Sequence, residues 1–110
     1  MKISKELVKG TSATLILSVL SQKDMYGYLI VRELEQRSEF VFSMNEGTLY
    51  PVLHAMEQEG FLESYWEEVD GRKRKYYHIT KKGFKHLGAK KEEWSLFSSA
   101  VSKVLNANAG

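Results

Sequence analysis

The sequence of 110 residues contains no cysteine and a single proline, Pro51. Without cysteine the chain cannot form a disulfide framework, a thiolate metal site or a cysteine nucleophile, which fits a reducing compartment. Long hydrophobic runs are also missing, since the run from Ala13 to Leu20 is far shorter than the roughly 20 residues of a membrane-spanning helix. No small-residue cleavage site follows the basic start, so we interpret this segment as a first helix and expect a cytoplasmic protein.

The charged residues are nearly balanced in number but unevenly distributed. The net charge is +2, yet the segment 72–91 holds nine basic residues and no acidic one, whereas the segment 33–70 holds ten acidic residues and only Arg37 as a base. Such clustering is typical of a surface that binds a polyanion, and nucleic acid is the first candidate. An ordinary solvated face with no partner remains the alternative.

The first half of the chain has the spacing of helices. Polar-flanked apolar residues predict a largely buried first helix from Ser4 to Ser21. Asp24 is expected to be the N-cap of a second helix that ends near Ser38. Residues 40–42 are then expected to form a short extended connector.

A third helix is predicted between Asn45 and Gly60, although it contains Gly47 and Pro51. Both residues are unfavourable inside helices, by about 1 kcal/mol for glycine and about 3 kcal/mol for proline relative to alanine. Asn45 is the expected N-cap, and a capping box formed by Ser43 and Glu46 is the alternative. The apolar stripe that faces the core consists of Leu49, Val52, Leu53 and Met56.

The stripe predicts which side of the third helix faces outward. Gly47 would let a phosphate or a base edge approach the backbone N–H groups, and Pro51 offers a rigid apolar surface to a thymine methyl group. Alternatively, both residues are tolerated on a solvent face and only bend the helix. Hydrogen bonds to DNA would come from Thr48, Tyr50 and His54.

The second half of the chain predicts a hairpin followed by a long helix. Two aromatic-rich strands, 61–69 and 72–80, flank Asp70-Gly71, which is a strong signal for a tight hairpin turn. Thr80 is expected to cap a final helix from Lys81 to about Asn106. The basic tip of the hairpin provides phosphate or minor-groove contacts, or is a plain solvated turn: Arg72, Lys73, Arg74 and Lys75.

This order of elements predicts a mainly α fold with a small β-hairpin wing, that is, a winged helix-turn-helix followed by a long C-terminal dimerisation helix. We assign residues 1–80 to the DNA-binding domain, 81–106 to the dimerisation helix and 107–110 to a frayed tail, all within one compact unit. A seam between two copies is expected at the heptad a and d positions of the last helix, which are Leu87, Trp94, Phe97, Val101 and Val104.

Three stretches, in this order, resemble the PadR family of transcriptional regulators: MYGYLIVRELE, NEGTLYPVLHAMEQEGFLES and DGRKRKYYHITKKG. The resemblance covers residues from about 5 to 105. It implies a homodimeric repressor that binds a palindromic operator and is often released by a small aromatic or hydrophobic effector. The single C-terminal helix is similar to that of the short branch of the family, in which this helix builds the dimer.

The resemblance also assigns roles to residues. It implies a recognition helix over Asn45–Gln58, a wing over Gly71–Lys75 and phosphate contacts at Tyr26 and Tyr28, although one of these two tyrosines is expected in the core. Trp94 lies where one short-branch pattern has a tryptophan facing its symmetry mate across a ligand pocket. The full set of predicted DNA contacts is Lys5, Lys9, Tyr26, Tyr28, Asn45, Gly47, Thr48, Tyr50, Pro51, His54, Arg72, Lys73, Arg74 and Lys75.

Alternatives to these assignments remain open at the level of sequence. Trp94 and Phe97 bind an effector or simply pack against each other in the seam. The histidines at 54, 78 and 86 lack ligand-like spacing, so no metal site is expected. No carboxylate pair, glycine-rich phosphate loop or Ser-His-Asp set stands out in the sequence, so no other cofactor and no enzymatic activity is expected. A winged-helix module that binds protein rather than DNA, through residues 40–42 and Trp66, is the competing function.

Overall fold

The computed structural model describes residues 3–107. Residues 108–110, which belong to the predicted frayed tail, lie outside the described part. The elements are α1 (Lys5–Leu20), β1 (Met25–Tyr26), α2 (Gly27–Arg37), α3 (Glu46–Gln58), β2 (Leu62–Val69), β3 (Arg72–Ile79) and α4 (Lys81–Asn106). The mainly α fold with a β-hairpin wing and a long last helix is therefore confirmed.

One apolar core joins α1, α2, α3 and the base of the hairpin. Its fully buried side chains come from all four parts of this assembly and include Ile16, Leu17, Ile30, Leu49, Leu53 and Tyr77. The first helix is buried only in its second half, so its predicted burial is wrong for the early turns. Leu7 is 60% exposed, because these turns extend beyond the core.

The sheet has three antiparallel strands in the order β1-β3-β2. Asp70 and Gly71 have φ angles of 52° and 78°, and they connect the paired residues Val69 and Arg72. Two consecutive positive φ values define the type I′ turn whose twist suits a two-residue hairpin. The short strand β1, which the sequence does not predict, pairs with β3 through Met25 and Tyr77.

The prediction that Asp24 caps the second helix is wrong. The N-cap of α2 is Tyr26, and no side-chain hydrogen bond closes this end of α2 among the described residues. Asp24 is used elsewhere, because Tyr65 Oη donates a 2.6 Å hydrogen bond to Asp24 Oδ2 and His78 Nδ1 lies 2.8 Å from Asp24 Oδ1. Met25 and Tyr26, which follow Asp24, form β1, so α2 starts only at Gly27.

The extended connector predicted at residues 40–42 is also wrong at its start. Glu39 and Phe40 have φ angles of 52° and 65°, in the left-handed region. The N–H of Phe40 donates to the carbonyl of Glu35 at 2.7 Å, and the N–H of Glu39 donates to that of Gln36 at 3.2 Å. These two bonds form a Schellman motif, which satisfies the last carbonyls of α2 and imposes the positive φ values.

Both ends of α3 agree with the sequence. Asn45 is the N-cap, and its Oδ1 accepts a 2.8 Å hydrogen bond from the N–H of Thr48. Gly60 follows the helix with a φ of 81°, and the N–H of Phe61 donates to the carbonyl of Met56 at 2.9 Å. The caps fix α3 at both ends in spite of the glycine and proline inside it.

The last helix begins and ends as predicted. Thr80 Oγ1 accepts a 3.0 Å hydrogen bond from the N–H of Gly83, and Leu87 packs into the core. From Lys91 to Asn106 every residue except Ser98 is exposed, so this part of α4 projects from the molecule, whose extents are 60 × 30 × 21 Å. In the described part of the chain, no helix combines the length and apolarity needed to cross a bilayer.

Asp24 ties the hairpin to the turn between α1 and β1. Desolvation raises the pKa of its carboxyl, but the hydrogen bonds from Tyr65 and His78 outweigh this and hold that pKa below its ordinary value. The same bond to Asp24 raises the pKa of the Tyr65 hydroxyl to about 12. The carboxylate therefore anchors one face of the wing in its ionised form.

We predict that Asp24→Asn lowers the free energy of unfolding at pH 7 by about 1 kcal/mol, because hydrogen bonds to a charged acceptor are stronger than neutral ones. The folded state lowers the pKa of Asp24, so the unfolded state binds more protons in acid. The advantage of the wild type is thus present above the ordinary carboxyl value of 3.8 and is lost as the pH falls through the folded value. Urea unfolding at a series of pH values measures this difference.

Asp70→Asn is the matched control for this experiment. Asp70 lies in the type I′ turn, which accepts Asn-Gly as readily as Asp-Gly, so this variant should match the wild type. A stability difference between the wild type and Asp24→Asn that persisted unchanged at low pH would contradict the assigned role of the carboxylate.

Candidate nucleic-acid interface

The outward face of α3 includes the exposed residues Gly47, Thr48, Pro51, His54 and Gln58. It is opposite to Leu49 and Leu53, whose side chains are completely buried. Pro51 lacks an N–H group, which leaves the carbonyl of Gly47, four residues earlier, without its usual helical donor. The two unfavourable residues of α3 therefore lie together on the side that is free to meet a partner.

Tyr50 lies at the edge of this face and is half-buried. Its hydroxyl points to the start of α2, where a Cβ atom built on Gly27 would lie 2.6 Å from it. Desolvation and the neighbouring carboxylate of Glu46 raise the pKa of the Tyr50 hydroxyl. Tyr50 is thus packed against the protein along one side and reaches the surface along the other.

The basic residues of the wing fall into two groups. Arg72 and Lys73, next to the turn, are exposed. Arg74 is half-buried, with its guanidinium 4.3 Å from the centre of the Tyr26 ring, and Lys75 Nζ lies 3.9 Å from Glu57 Oε1. The tip can therefore move toward a phosphate, whereas the next two residues already have contacts that hold the wing beside α2 and α3.

A cleft of about 250 Å³ separates the wing from α3. Six of the residues predicted to bind DNA line it, and they come from β1, α2, α3 and the wing. Two further lining residues, Glu46 and Trp66, were not among the predicted contacts. The complete lining is Tyr26, Tyr28, Glu46, Tyr50, Trp66, Lys73, Arg74 and Lys75. The combination of aromatic rings and cations is chemically suited to a phosphate and its sugar.

The alternation of side chains between the two faces of a strand predicts on which face of the hairpin Trp66 lies. It pairs with Lys75, and Ser64 pairs with the buried Tyr77, so Trp66 shares the helix-facing side of the hairpin with Tyr77. At this level of the hairpin the core has ended, and Trp66 is 66% exposed. No comparable sequence signal places Glu46, since a carboxylate in the first turn of a helix is explained by the helix dipole alone.

Tyr26 and Tyr28, in the stretch MYGYLIVRELE, differ in their surroundings. The expectation that one of them belongs to the core is wrong. Tyr28 is 49% exposed and accepts a 3.0 Å hydrogen bond from Arg32. Tyr26 is half-buried, with its ring edge-on to Tyr76 at 5.4 Å and under Arg74. Both rings lie at the surface, whereas Met25 and Gly27, which alternate with them along the chain, are buried.

Other predicted contacts lie outside the cleft. Lys5 and Lys9 are exposed on the early turns of α1 and do not line it. Asn45 is exposed at the start of α3, with its side-chain oxygen engaged as the N-cap. The structure therefore brings together the wing, β1 and α3, and leaves the two α1 lysines apart.

The predicted seam on α4 is exposed over most of its length. An open groove of about 290 Å³ runs along it, lined by Phe97, Ala100, Val101, Val104 and Leu105. Trp94 is half exposed, with its ring 6.1 Å from that of Phe97. Leu87 differs from the other predicted seam residues, because it is only 4% exposed and lies in the core of its own chain.

The surfaces named for the competing function are also exposed. Phe40, Val41 and Trp66 are not buried, and Phe40 is 73% exposed. Within residues 3–107, no group of three His, Asp or Glu side chains is arranged to bind a metal ion.

Comparison with known proteins agrees with this architecture. Residues 16–89 match the model of the Transcriptional regulator PadR-like family. The transcriptional regulator Rv3488 of Mycobacterium tuberculosis is 35% identical over 68 residues, which are 62% of this chain and 61% of that protein.

Solved structures are similar over nearly the whole chain. A transcriptional regulator from Clostridium thermocellum has a TM-score of 0.84 and 33% identity, over 90% of this chain and 97% of that one. A PadR family transcriptional regulator from Eggerthella lenta has a TM-score of 0.83 and 33% identity, over 94% of this chain and 88% of that one. Members of the family are transcriptional regulators rather than enzymes. The chain belongs to the PadR-like family of transcriptional regulators.

Proposed function

We propose that the protein is a cytoplasmic repressor that binds a palindromic DNA operator as a homodimer and is released by a small aromatic or hydrophobic effector. The observation that carries the DNA-binding part is that Glu46 and Tyr50 of α3 line the same cleft as the basic wing, next to the outward face of α3. PadR regulators bind DNA, usually as dimers, which supports the same assignment.

In this proposal α3 enters the major groove. Thr48, Tyr50 and His54 donate or accept hydrogen bonds at base edges. Pro51 meets a thymine methyl group, and Gly47 allows the backbone to come close. Asn45 caps the helix at the end that attracts phosphate. Glu46 is the one acidic residue in the cleft, and it favours the start of the helix or accepts from a cytosine amino group.

The wing and its neighbours supply the contacts to the DNA backbone. Arg72 and Lys73 are exposed at the tip, and Arg74 and Lys75 follow at the cleft. Tyr26 and Tyr28 line the same cleft and add hydroxyl groups. Lys5 and Lys9 lie outside it and are proposed as further phosphate contacts at the flank.

The dimer is proposed to form along the seam of α4, at Trp94, Phe97, Val101 and Val104. These side chains are apolar and exposed on a helix that projects from its own core, and burying them against a second copy is favourable by about 25 cal/mol per Å². A two-fold axis through the seam would place two copies of α3 in successive major grooves, about 34 Å apart. Leu87 then supports α4 from within each subunit.

The effector is proposed to bind between Trp94 of the two subunits, near Phe97. A ligand there would change the angle between the two α4 helices, and thereby the spacing of the two copies of α3. The open groove that begins at Phe97 supports this proposal.

Removing single wing charges tests the DNA-binding part. Each of Arg72→Ala and Lys73→Ala should weaken binding to duplex DNA and reduce the slope of log affinity against log salt by about 1.8, because each subunit of the dimer loses one phosphate contact. Fluorescence anisotropy with a labelled duplex at several salt concentrations measures the slope. Lys103→Ala is the matched control, since Lys103 lies in the last turn of α4, and its slope should equal that of the wild type.

If the wild type does not bind duplex DNA even at low salt, the proposed DNA binding is wrong. Retained binding to a protein partner would then favour the competing function through Phe40, Val41 and Trp66.

A charge introduced into the seam tests the dimer. Val101→Glu should raise the dissociation constant of the dimer by about 100-fold, since two carboxylates would be buried without partners. Ser99→Glu adds the same charge to the opposite side of α4 and should leave the dimer intact. Sedimentation equilibrium distinguishes the two variants, and equal dimerisation by both would contradict the proposed seam.

The effector pocket can be followed by fluorescence because the chain has only two tryptophans, Trp66 and Trp94. In the Trp66→Phe protein, titration with aromatic compounds should change the emission of Trp94 in a saturable way, while the Trp94→Phe protein should not respond. If a chemically broad panel leaves Trp94 emission unchanged, Trp94 is only a packing residue of the seam.

A further inference from the structure

The start of α2 contacts the recognition helix where the Tyr50 ring lies against Gly27. We infer that Gly27 is a positioning residue for DNA recognition: its missing side chain lets the Tyr50 ring lie against the start of α2, which keeps the cleft between α3 and the wing open to the duplex. This inference rests on the proposed DNA-binding function.

A side chain at position 27 would collide with Tyr50 in its present position. Gly27 is the first residue of α2 and is buried. A Cβ atom there would lie 2.6 Å from Tyr50 Oη, 3.1 Å from Tyr50 Cζ and 3.5 Å from Leu49 Cδ2. The first distance is shorter than real contacts allow, so the Tyr50 ring would have to move, whereas the contact with Leu49 is ordinary.

The cleft offers a displaced ring an open direction. Tyr50 is bounded by α2 on the side of Gly27, and it lines the cleft together with Trp66 and Lys73. The ring would therefore swing into the space proposed for the DNA backbone. The cleft holds only about 250 Å³, so a side chain of this size occupies much of it.

The same movement would disturb the base-reading surface. Gly47 and His54 are three residues before and four residues after Tyr50, which makes them its neighbours on the surface of α3. The ring of His54 already lies 6.1 Å from that of Tyr50. Moving Tyr50 consequently alters both the cleft and the outward face of α3, while the core under Leu49 and Leu53 stays in place.

The test compares binding to a duplex selected by the wild type from random sequences with binding to a scrambled duplex. Gly27→Ala should reduce the ratio of these two affinities about tenfold. A variant that was merely less stable would lose both affinities together, so the ratio separates positioning from folding. Gly88→Ala is the matched control, because a Cβ atom on Gly88 has nothing within 4 Å, and its ratio should be unchanged.

Tyr50→Phe provides the rescue, since it removes the hydroxyl that the new methyl group would strike. The ratio of Tyr50→Phe alone is measured first, because Tyr50 is itself a predicted DNA contact. In this background Gly27→Ala should reduce the ratio less than it does in the wild type, because the 2.6 Å contact with the hydroxyl is gone and only the 3.1 Å contact with Cζ remains. In a Trp94→Phe protein, Gly27→Ala should also shift the emission of Trp66, which lines the same cleft.

The outcomes are distinguishable. If the wild type binds no duplex at all, the proposed function fails and this role fails with it. If the wild type discriminates and Gly27→Ala discriminates equally well, or if Gly27→Ala loses as much in the Tyr50→Phe background as alone, this role alone is overturned.

Discussion

Burial of Leu49 and Leu53 against α1 and α2 is the constraint on which the proposed DNA surface depends. Each fully buried leucine stabilises the fold by about 1.5–3 kcal/mol, which offsets the penalties of about 1 and about 3 kcal/mol for Gly47 and Pro51 inside a helix. Because residues follow one another by 100° around a helix, fixing the leucines inward fixes both unfavourable residues outward. Burial in the core thus offsets the free-energy penalty of these two residues, which lie on the side of α3 that is proposed to contact DNA.

The wing is held at a defined distance from α3 by contacts that converge from several elements. Asp24 binds Tyr65 and His78 on one face of the hairpin, and strand β1 pairs with β3. Arg74 lies over the Tyr26 ring, and Lys75 Nζ lies 3.9 Å from Glu57 Oε1 on α3. These contacts leave only the tip of the wing free. A regulator that must match two surfaces to one duplex needs this distance to be fixed before binding, since ordering it on the DNA would reduce affinity.

Most of the fold could be predicted from local signals, namely the Asp70-Gly71 turn, the caps Asn45 and Thr80, and the apolar stripe of α3. The wrong predictions concern residues whose local structure is determined by contacts that the local sequence does not show. Asp24 has the chemistry of a cap but binds the distant hairpin, and Glu39 adopts a positive φ without being glycine because a Schellman motif requires it. For the site, the sequence placed the exposed residues of α3 and the wing on separate elements, and only the fold shows which of them line one cleft.

The central claim is that α3 and the wing of two subunits engage one face of a duplex. Hydroxyl-radical footprinting of the wild type on a duplex selected from random sequences tests this most directly. The account predicts two related half-sites whose centres lie about one helical turn, or 34 Å, apart, with protected backbone flanking each major groove. A single continuous footprint without two-fold symmetry, or no protection at low salt, would contradict it.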